Sequence, residues 1–126
     1  MIERIQGMPA GTIGLQADGR LTKDDYTAVL EPALREGIES GELRLLFVLA
    51  SFDGLEPAAW PEDFKTGLRT WVRDHSAWKR FALVTDLEWV AKAMHLFAWM
   101  TPGEVLIRGM DGLDEAKAWV AEDAPA

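Results

Sequence analysis

Three short apolar runs constrain the fold of this chain more than any other feature. They are "LRLLFVLA" at residues 43–50, "RFALVTD" at 80–86 and "EVLIRG" at 104–109. A short continuous apolar run is typical of a strand that is buried on both faces of a sheet. Because a segment long enough for a helix separates consecutive runs, the sequence predicts right-handed βα crossovers and a largely parallel sheet.

Two further strands are predicted at the start of the chain. Residues 1–6 alternate apolar and polar side chains, the turn sequence "GMPAG" follows, and residues 12–17 have the pattern of a returning strand. The sequence therefore predicts an N-terminal hairpin followed by three βα crossovers, which gives a mostly parallel five-stranded sheet.

About four helices are predicted between and after these strands. The first begins at Thr22, where "TKDD" has the form of a capping box, and Pro32 should kink it on the solvent side. Pro61 favours the start of a second helix. The third is predicted at 87–100, and the fourth within "DGLDEAKAWVAED" at 111–123.

Composition excludes several functional classes. The net charge of −8 disfavours binding to nucleic acid, and the absence of cysteine excludes disulfides, zinc–thiolate sites and thiol catalysis. No signal-peptide pattern or membrane-spanning run is present, so we expect a cytoplasmic protein that is soluble or peripheral to a membrane. The charge is uneven, since residues 64–80 carry +4 and the rest of the chain −12.

The predicted helix at 87–100 is unusually apolar for a small domain. Eleven of its fourteen residues are apolar, and the other three, Glu88, Lys92 and His95, form one narrow polar stripe that also contains Trp99. A core can cover about half to two thirds of such a helix. The remainder requires a second covering surface, which is a hydrophobic ligand, a lipid surface or a second copy of the chain.

This reasoning defines a candidate contact surface. Tryptophan at an interface with basic residues nearby is typical of an element that lies on a lipid surface, and the basic segment could meet anionic head groups. The negative charge of the rest of the chain should keep such attachment weak and sensitive to salt. The predicted contact residues are Trp89, Leu96, Trp99, Met100, Lys65, Arg69 and Arg73.

Thr85 and Asp86 are candidates for a polar ligand contact. They end a predicted strand at the edge where open α/β sheets bind ligands. The alternative is that one of them caps the following helix, because "TDLE" has the spacing of a capping box. No nucleophile–base motif, phosphate loop, dinucleotide fingerprint or metal-ligand spacing is present, so we expect no enzymatic activity, no cofactor and no metal.

Three longer stretches carry a resemblance to a known family. "GRLTKDDYTAVLEPAL", "RFALVTDLEWV" and "TPGEVLIRGMDGLDEAKAWV" together resemble the SpoIIAA-like family over nearly the whole chain. The resemblance implies a single domain at 1–122 with a short tail at 123–126. It also implies a STAS-type β-α superhelix related to the CRAL-TRIO lipid-transfer fold.

From the apolar helix and the resemblance together, we expect a non-enzymatic module with one of two functions. One is binding of a hydrophobic small molecule or an anionic lipid surface through the apolar helix. The other is protein interaction or homodimerisation of the kind seen in anti-sigma-factor antagonists. Those antagonists carry a phosphorylated serine in a "DSSG"-like loop, whereas the matching loop here is "SFDGLEP", so we predict that Ser51 is not a phosphorylation switch.

Overall fold

Seven strands are present in the computed structural model, which describes residues 1–55, 78–97 and 103–122. The second predicted helix, the tail at 123–126, and Lys65, Arg69, Arg73, Trp99 and Met100 lie outside these residues. In chain order, the strands are β1 (Ile2–Arg4), β2 (Ile13–Ala17), β3 (Arg20–Leu21), β4 (Leu43–Leu49), β5 (Gly54–Leu55), β6 (Trp78–Thr85) and β7 (Glu104–Arg108).

Five of these strands form one sheet, in the order β1-β2-β4-β6-β7. The β1–β2 pairing is antiparallel, which confirms the predicted hairpin, and the other three pairings are parallel. Ala17, Leu49 and Thr85 lie side by side across the three central strands, so the chain leaves those strands at one common edge. We call this edge the carboxyl edge.

The helical elements alternate with the strands. They are α1 (Lys23–Asp25), a π-helical segment (Tyr26–Leu30), α2 (Glu31–Glu39), α3 (Glu88–Phe97), a 3-10 turn (Met110–Gly112) and α4 (Leu113–Ala121). None of the described helices is long and apolar enough to cross a membrane.

The first helix begins with the predicted capping box. Thr22 Oγ1 accepts a hydrogen bond from the amide of Asp25 at 3.2 Å, and Asp25 Oδ2 accepts one from the amide of Thr22 at 2.9 Å. Two amides at the helix start are therefore satisfied reciprocally. The exposed Pro32 is the second residue of α2 and lies two residues after the end of the π-helical segment. The i→i+5 bonding of that segment replaces the regular α-helical pattern close to the position where proline removes a donor.

The core lies on both faces of the sheet, because β4 is buried on both sides. Leu43, Leu45 and Leu49 belong to one apolar cluster, which also contains residues of α2. Leu46 and Val48 belong to the other, which contains residues of α4. The even and odd positions of β4 thus face opposite layers, as predicted for a strand buried between helices.

A second, two-stranded sheet was not predicted. β3 pairs with β5 in parallel, and the amide of Asp53 donates to the carbonyl of Gly19 at 2.9 Å just before this pair. The loop that leaves β4 is therefore fastened to the loop that leaves β2. Both loops lie at the carboxyl edge, so this small sheet shapes the surface there.

Candidate binding surface at the carboxyl edge of the sheet

Thr85 joins two elements at the carboxyl edge. Its hydroxyl donates to the carbonyl of Leu49 at 2.9 Å and accepts from the amide of Leu87 at 3.1 Å, and the residue is only 4% exposed. The side chain thus connects the end of β4 to the entry of α3. This arrangement agrees with a structural role at the helix start, and it leaves the hydroxyl turned away from solvent.

Asp86 has a different partner from the one that its spacing predicted. Its Oδ1 accepts a hydrogen bond from the amide of Met110 at 2.9 Å, at the start of the 3-10 turn that leads into α4. A carboxylate at this position satisfies a free amide at a helical N-terminus. Asp86 therefore caps the helical turn after β7, and not α3, which follows it in sequence.

Ser51 fastens the loop after β4. Its Oγ accepts a hydrogen bond from the amide of Gly19 at 2.9 Å, and the amide of Ala50 donates to the carbonyl of Ala17 at 2.9 Å. Gly19 has a φ of 66°, a backbone conformation that favours glycine. The serine hydroxyl thus has a structural partner in the loop that leaves β2.

A pair of aromatic rings at the same edge is partly exposed to solvent. Trp89, in the first turn of α3, is 59% exposed, and its ring lies 5.6 Å from the ring of the half-buried Phe52. The interplanar angle of 57° is a tilted packing that aromatic rings favour. Phe52 in turn packs against the apolar cluster on the α2 side of the sheet. We call Phe52 and Trp89 the aromatic patch.

The predicted surface of α3 is only partly described. Glu88, Lys92 and His95 are all exposed, as expected for the polar stripe, and the exposed Trp89 is one of the predicted contact residues. The backbone of Leu96 lies within α3, but its side chain is outside the description. Trp99 and Met100 lie beyond the described part of this helix, so their predicted contacts stay predictions.

The described basic residues of the segment 64–80 lie far from the aromatic patch. Lys79 and Arg80 occupy the start of β6, whereas Trp89 follows its end, and eight strand residues separate the two edges by about 25 Å. Arg80 is also engaged within the protein. Its Nη1 donates to the carbonyl of Trp119 at 2.6 Å, and its guanidinium lies 4.9 Å from the centroid of that indole.

Arg44 is a buried cation that the sequence reasoning missed. It is 1% exposed, and its Nη1 donates to the carbonyls of Val120 at 3.0 Å and Glu122 at 2.8 Å. Glu42 Oε2 lies 3.2 Å from its Nε. The available signal was an arginine inside the apolar run "LRLLFVLA". Since its bonds go to the end of α4, Arg44 anchors that helix.

Two further features of the described residues concern metal binding and the carboxyl group of Asp25. Within residues 1–55, 78–97 and 103–122, no group of three histidine, aspartate or glutamate residues is arranged to hold a metal ion. The pKa of Asp25 is lowered. Burial raises the pKa of this carboxyl, but hydrogen bonds from Thr22 and Ile2 and the nearby N-terminal amine outweigh that effect and lower it below 3.8.

Comparisons with known proteins agree with this architecture. The SpoIIAA-like family matches residues 12–121, so the chain belongs to the SpoIIAA-like family. Among solved structures, it is similar to an uncharacterized protein of the DUF3478 family from Shewanella loihica PV-4, which is described as having a SpoIIAA-like fold. The TM-score is 0.62 at 30% identity, over 95% of this chain and 90% of that chain. No curated protein matches the chain.

Proposed function

We propose that this chain is a non-enzymatic binding module that receives an apolar group of its ligand on the aromatic patch. The observation that carries the proposal is the 59% exposure of Trp89 beside Phe52 at the carboxyl edge. An indole is among the largest apolar side chains and provides much contact area at a small cost in conformational entropy. A hydrophobic small molecule or the acyl region of a lipid is the expected ligand.

The hydrogen bonds around the patch support binding without chemistry. Thr85 Oγ1 both donates and accepts within the protein, Asp86 Oδ1 holds the Met110 amide, and Ser51 Oγ accepts from Gly19. A nucleophile or general base needs a lone pair or proton directed at the substrate. These three side chains serve the fold instead, which favours a contact surface over an active site.

Protein interaction or homodimerisation is the second candidate function. It is favoured by the exposed acidic residues next to the patch, since Asp53 follows Phe52 in sequence and Glu88 precedes Trp89. These carboxylates would repel anionic lipid head groups, whereas a protein surface can offer them cationic partners. Light scattering over a concentration series detects self-association, and native mass spectrometry detects a co-purified small molecule.

The test of the proposed function uses Trp89→Ala. The protein is titrated with Nile red, a neutral apolar dye, and with phosphatidylcholine vesicles. Neither probe carries a net charge, so charge attraction does not drive its binding. We expect the variant to bind both probes about tenfold more weakly, as for loss of an aromatic anchor. Since Trp89 is mostly exposed, the free energy of unfolding should change by less than about 1 kcal/mol.

His95→Ala is the matched control, because His95 is exposed on the same helix and outside the patch. It should bind both probes as the unaltered chain does. Equal binding by Trp89→Ala and the unaltered chain would contradict the proposal, and so would the absence of any binding of either probe to the unaltered chain.

A further inference from the structure

Exposed carboxylates lie at the same edge of the sheet as the aromatic patch. Asp53, Asp86, Glu88 and Asp111 are all exposed at or just beyond the carboxyl edge. Asp86 and Asp111 approach the same glycine, since a Cβ built on Gly109 would lie 3.0 Å from Oδ1 of the first and 3.1 Å from Oδ1 of the second. Two carboxylates held this close produce a concentrated negative potential.

Asp53 and Glu88 are the carboxylates closest to the rings in sequence. Asp53 Oδ2 lies 3.7 Å from the Cβ position of Gly19, so the first of them faces the loop after β2. Neither side chain forms an ion pair with a cation in the described parts of the chain. Both carboxylates are thus available to an external cation.

The cations near this edge do not cancel its charge. The N-terminal amine is held at its β2 end by the carbonyls of Asp18 and Arg20, at 2.6 and 3.1 Å, and pairs with Asp25 at 3.4 Å. Arg20 is exposed at the same end, and Lys92 lies one turn further along α3 than Trp89. These two cations offset only part of the charge of the four carboxylates. The described surface at the entry of α3 therefore combines exposed apolar rings with a net negative charge.

From this combination we infer that the aromatic patch and its flanking carboxylates form a docking surface for a basic, partly apolar segment of another protein. An apolar side chain of that segment packs on Trp89 and Phe52, and its lysine or arginine side chains reach Asp53 and Glu88. Charge complementarity selects this partner, because an anionic membrane would be repelled by the same carboxylates. The inference rests on the proposed function, since both require the patch to be a contact surface.

Two peptides test the charge preference. One is a fluorescein-labelled amphipathic peptide of arginine and leucine, and the other is identical except that glutamine replaces each arginine. Binding to the full chain is measured by fluorescence anisotropy at low and high salt. We expect the arginine peptide to bind more tightly than the glutamine peptide, and its affinity to fall as salt rises.

Charge variants locate the effect on the surface. Asp53→Asn with Glu88→Gln should weaken binding of the arginine peptide about two- to thirtyfold, the range expected when two exposed ion pairs are lost. Glu39→Gln with Glu104→Gln is the control, because it changes the net charge equally at two exposed positions at the opposite edge, the end of α2 and the start of β7. This control should bind the arginine peptide as the unaltered chain does.

The outcomes separate the inference from the proposed function. If both peptides bind equally and Trp89→Ala removes that binding, the patch binds apolar groups and the charge inference is wrong. If neither peptide binds while Nile red does, the protein-segment inference is also wrong. Preferential binding of phosphatidylserine vesicles over the arginine peptide would overturn it in favour of a membrane. Equal loss of affinity in the control pair would show a net-charge effect and contradict docking at this edge.

Discussion

Replacing Arg44 with methionine should destabilise the fold through the end of α4. Methionine has a similar length and fills the space, but it cannot donate to the carbonyls of Val120 and Glu122, which Arg44 Nη1 binds at 3.0 and 2.8 Å. Because Arg44 is 1% exposed, water does not easily replace the guanidinium. The variant Arg44→Met therefore leaves a helix terminus without its partner.

The size of the expected destabilisation follows from the burial of the carbonyl groups that lose their partner. The bond to the Val120 carbonyl is buried, so an unpaired acceptor there costs about 1–3 kcal/mol. Glu122 is exposed and its carbonyl can bind water, so its loss adds little. Removing a cation from a helix C-terminus costs a further ~0.3–1 kcal/mol. We expect a total destabilisation of about 1–4 kcal/mol. This total is reduced by the desolvation cost that disappears when no charge is buried.

Urea denaturation followed by circular dichroism measures this difference. With an m-value of about 2 kcal/mol/M, the urea midpoint should fall by about 0.5–2 M. Arg108→Met is the matched control, since Arg108 is 42% exposed and its ion pair with Glu115 is at the surface, so its midpoint should barely move. If Arg44→Met is as stable as this control, or more stable, the burial cost of the guanidinium outweighs its bonds and the reasoning is refuted.

Two other side chains give further predictions. Asp25→Asn should destabilise the protein at pH 7 by about 1 kcal/mol through loss of the cap shared with Thr22. Because the pKa of Asp25 is lowered in the folded state, its carboxylate stabilises the fold at pH values above the unfolded-state pKa. This stabilisation is lost as the pH falls through the folded-state pKa. The difference in stability between Asp25→Asn and the unaltered chain should therefore shrink in acid denaturation curves. Ser51→Ala should cost about 0.5–1.5 kcal/mol in thermal or urea unfolding and leave Nile red binding unchanged. Stoichiometric phosphate on Ser51 of protein purified from its native host, detected by mass spectrometry, would contradict the structural role.

The sequence predicted those parts of the fold whose pattern lies within a single strand or helix end. The run at 43–50 indicated a strand buried on both faces, and β4 is buried on both faces because α2 and α4 cover opposite sides of the sheet. The capping box at Thr22 also formed as its spacing requires. In both cases the controlling interactions lie within a few residues along the chain or repeat with a fixed period.

Other features depend on contacts that no local pattern contains. A two-residue strand such as β3 or β5 is too short to show a period, so the second sheet could not be predicted. The partner of Asp86 is the amide of Met110, 24 residues away, although "TDLE" favoured a cap for the adjacent helix. Arg44 likewise binds carbonyls 76 and 78 residues away. These long-range bonds arise only once the parallel strands are aligned.

The distribution of satisfied and open groups at the carboxyl edge is the physical basis of the proposed contact surface. In many open α/β sheets, polar side chains at this edge face a ligand. Here the hydroxyl groups of Ser51 and Thr85 form hydrogen bonds within the protein, which connect the loop after β2, the end of β4 and the entry of α3. The exposed groups at this edge include the indole of Trp89 and the carboxylates of Asp53 and Glu88, which combine apolar area with negative charge. In the proposed docking, such a surface would gain affinity from buried aromatic area and selectivity from charge, as interfaces between proteins do.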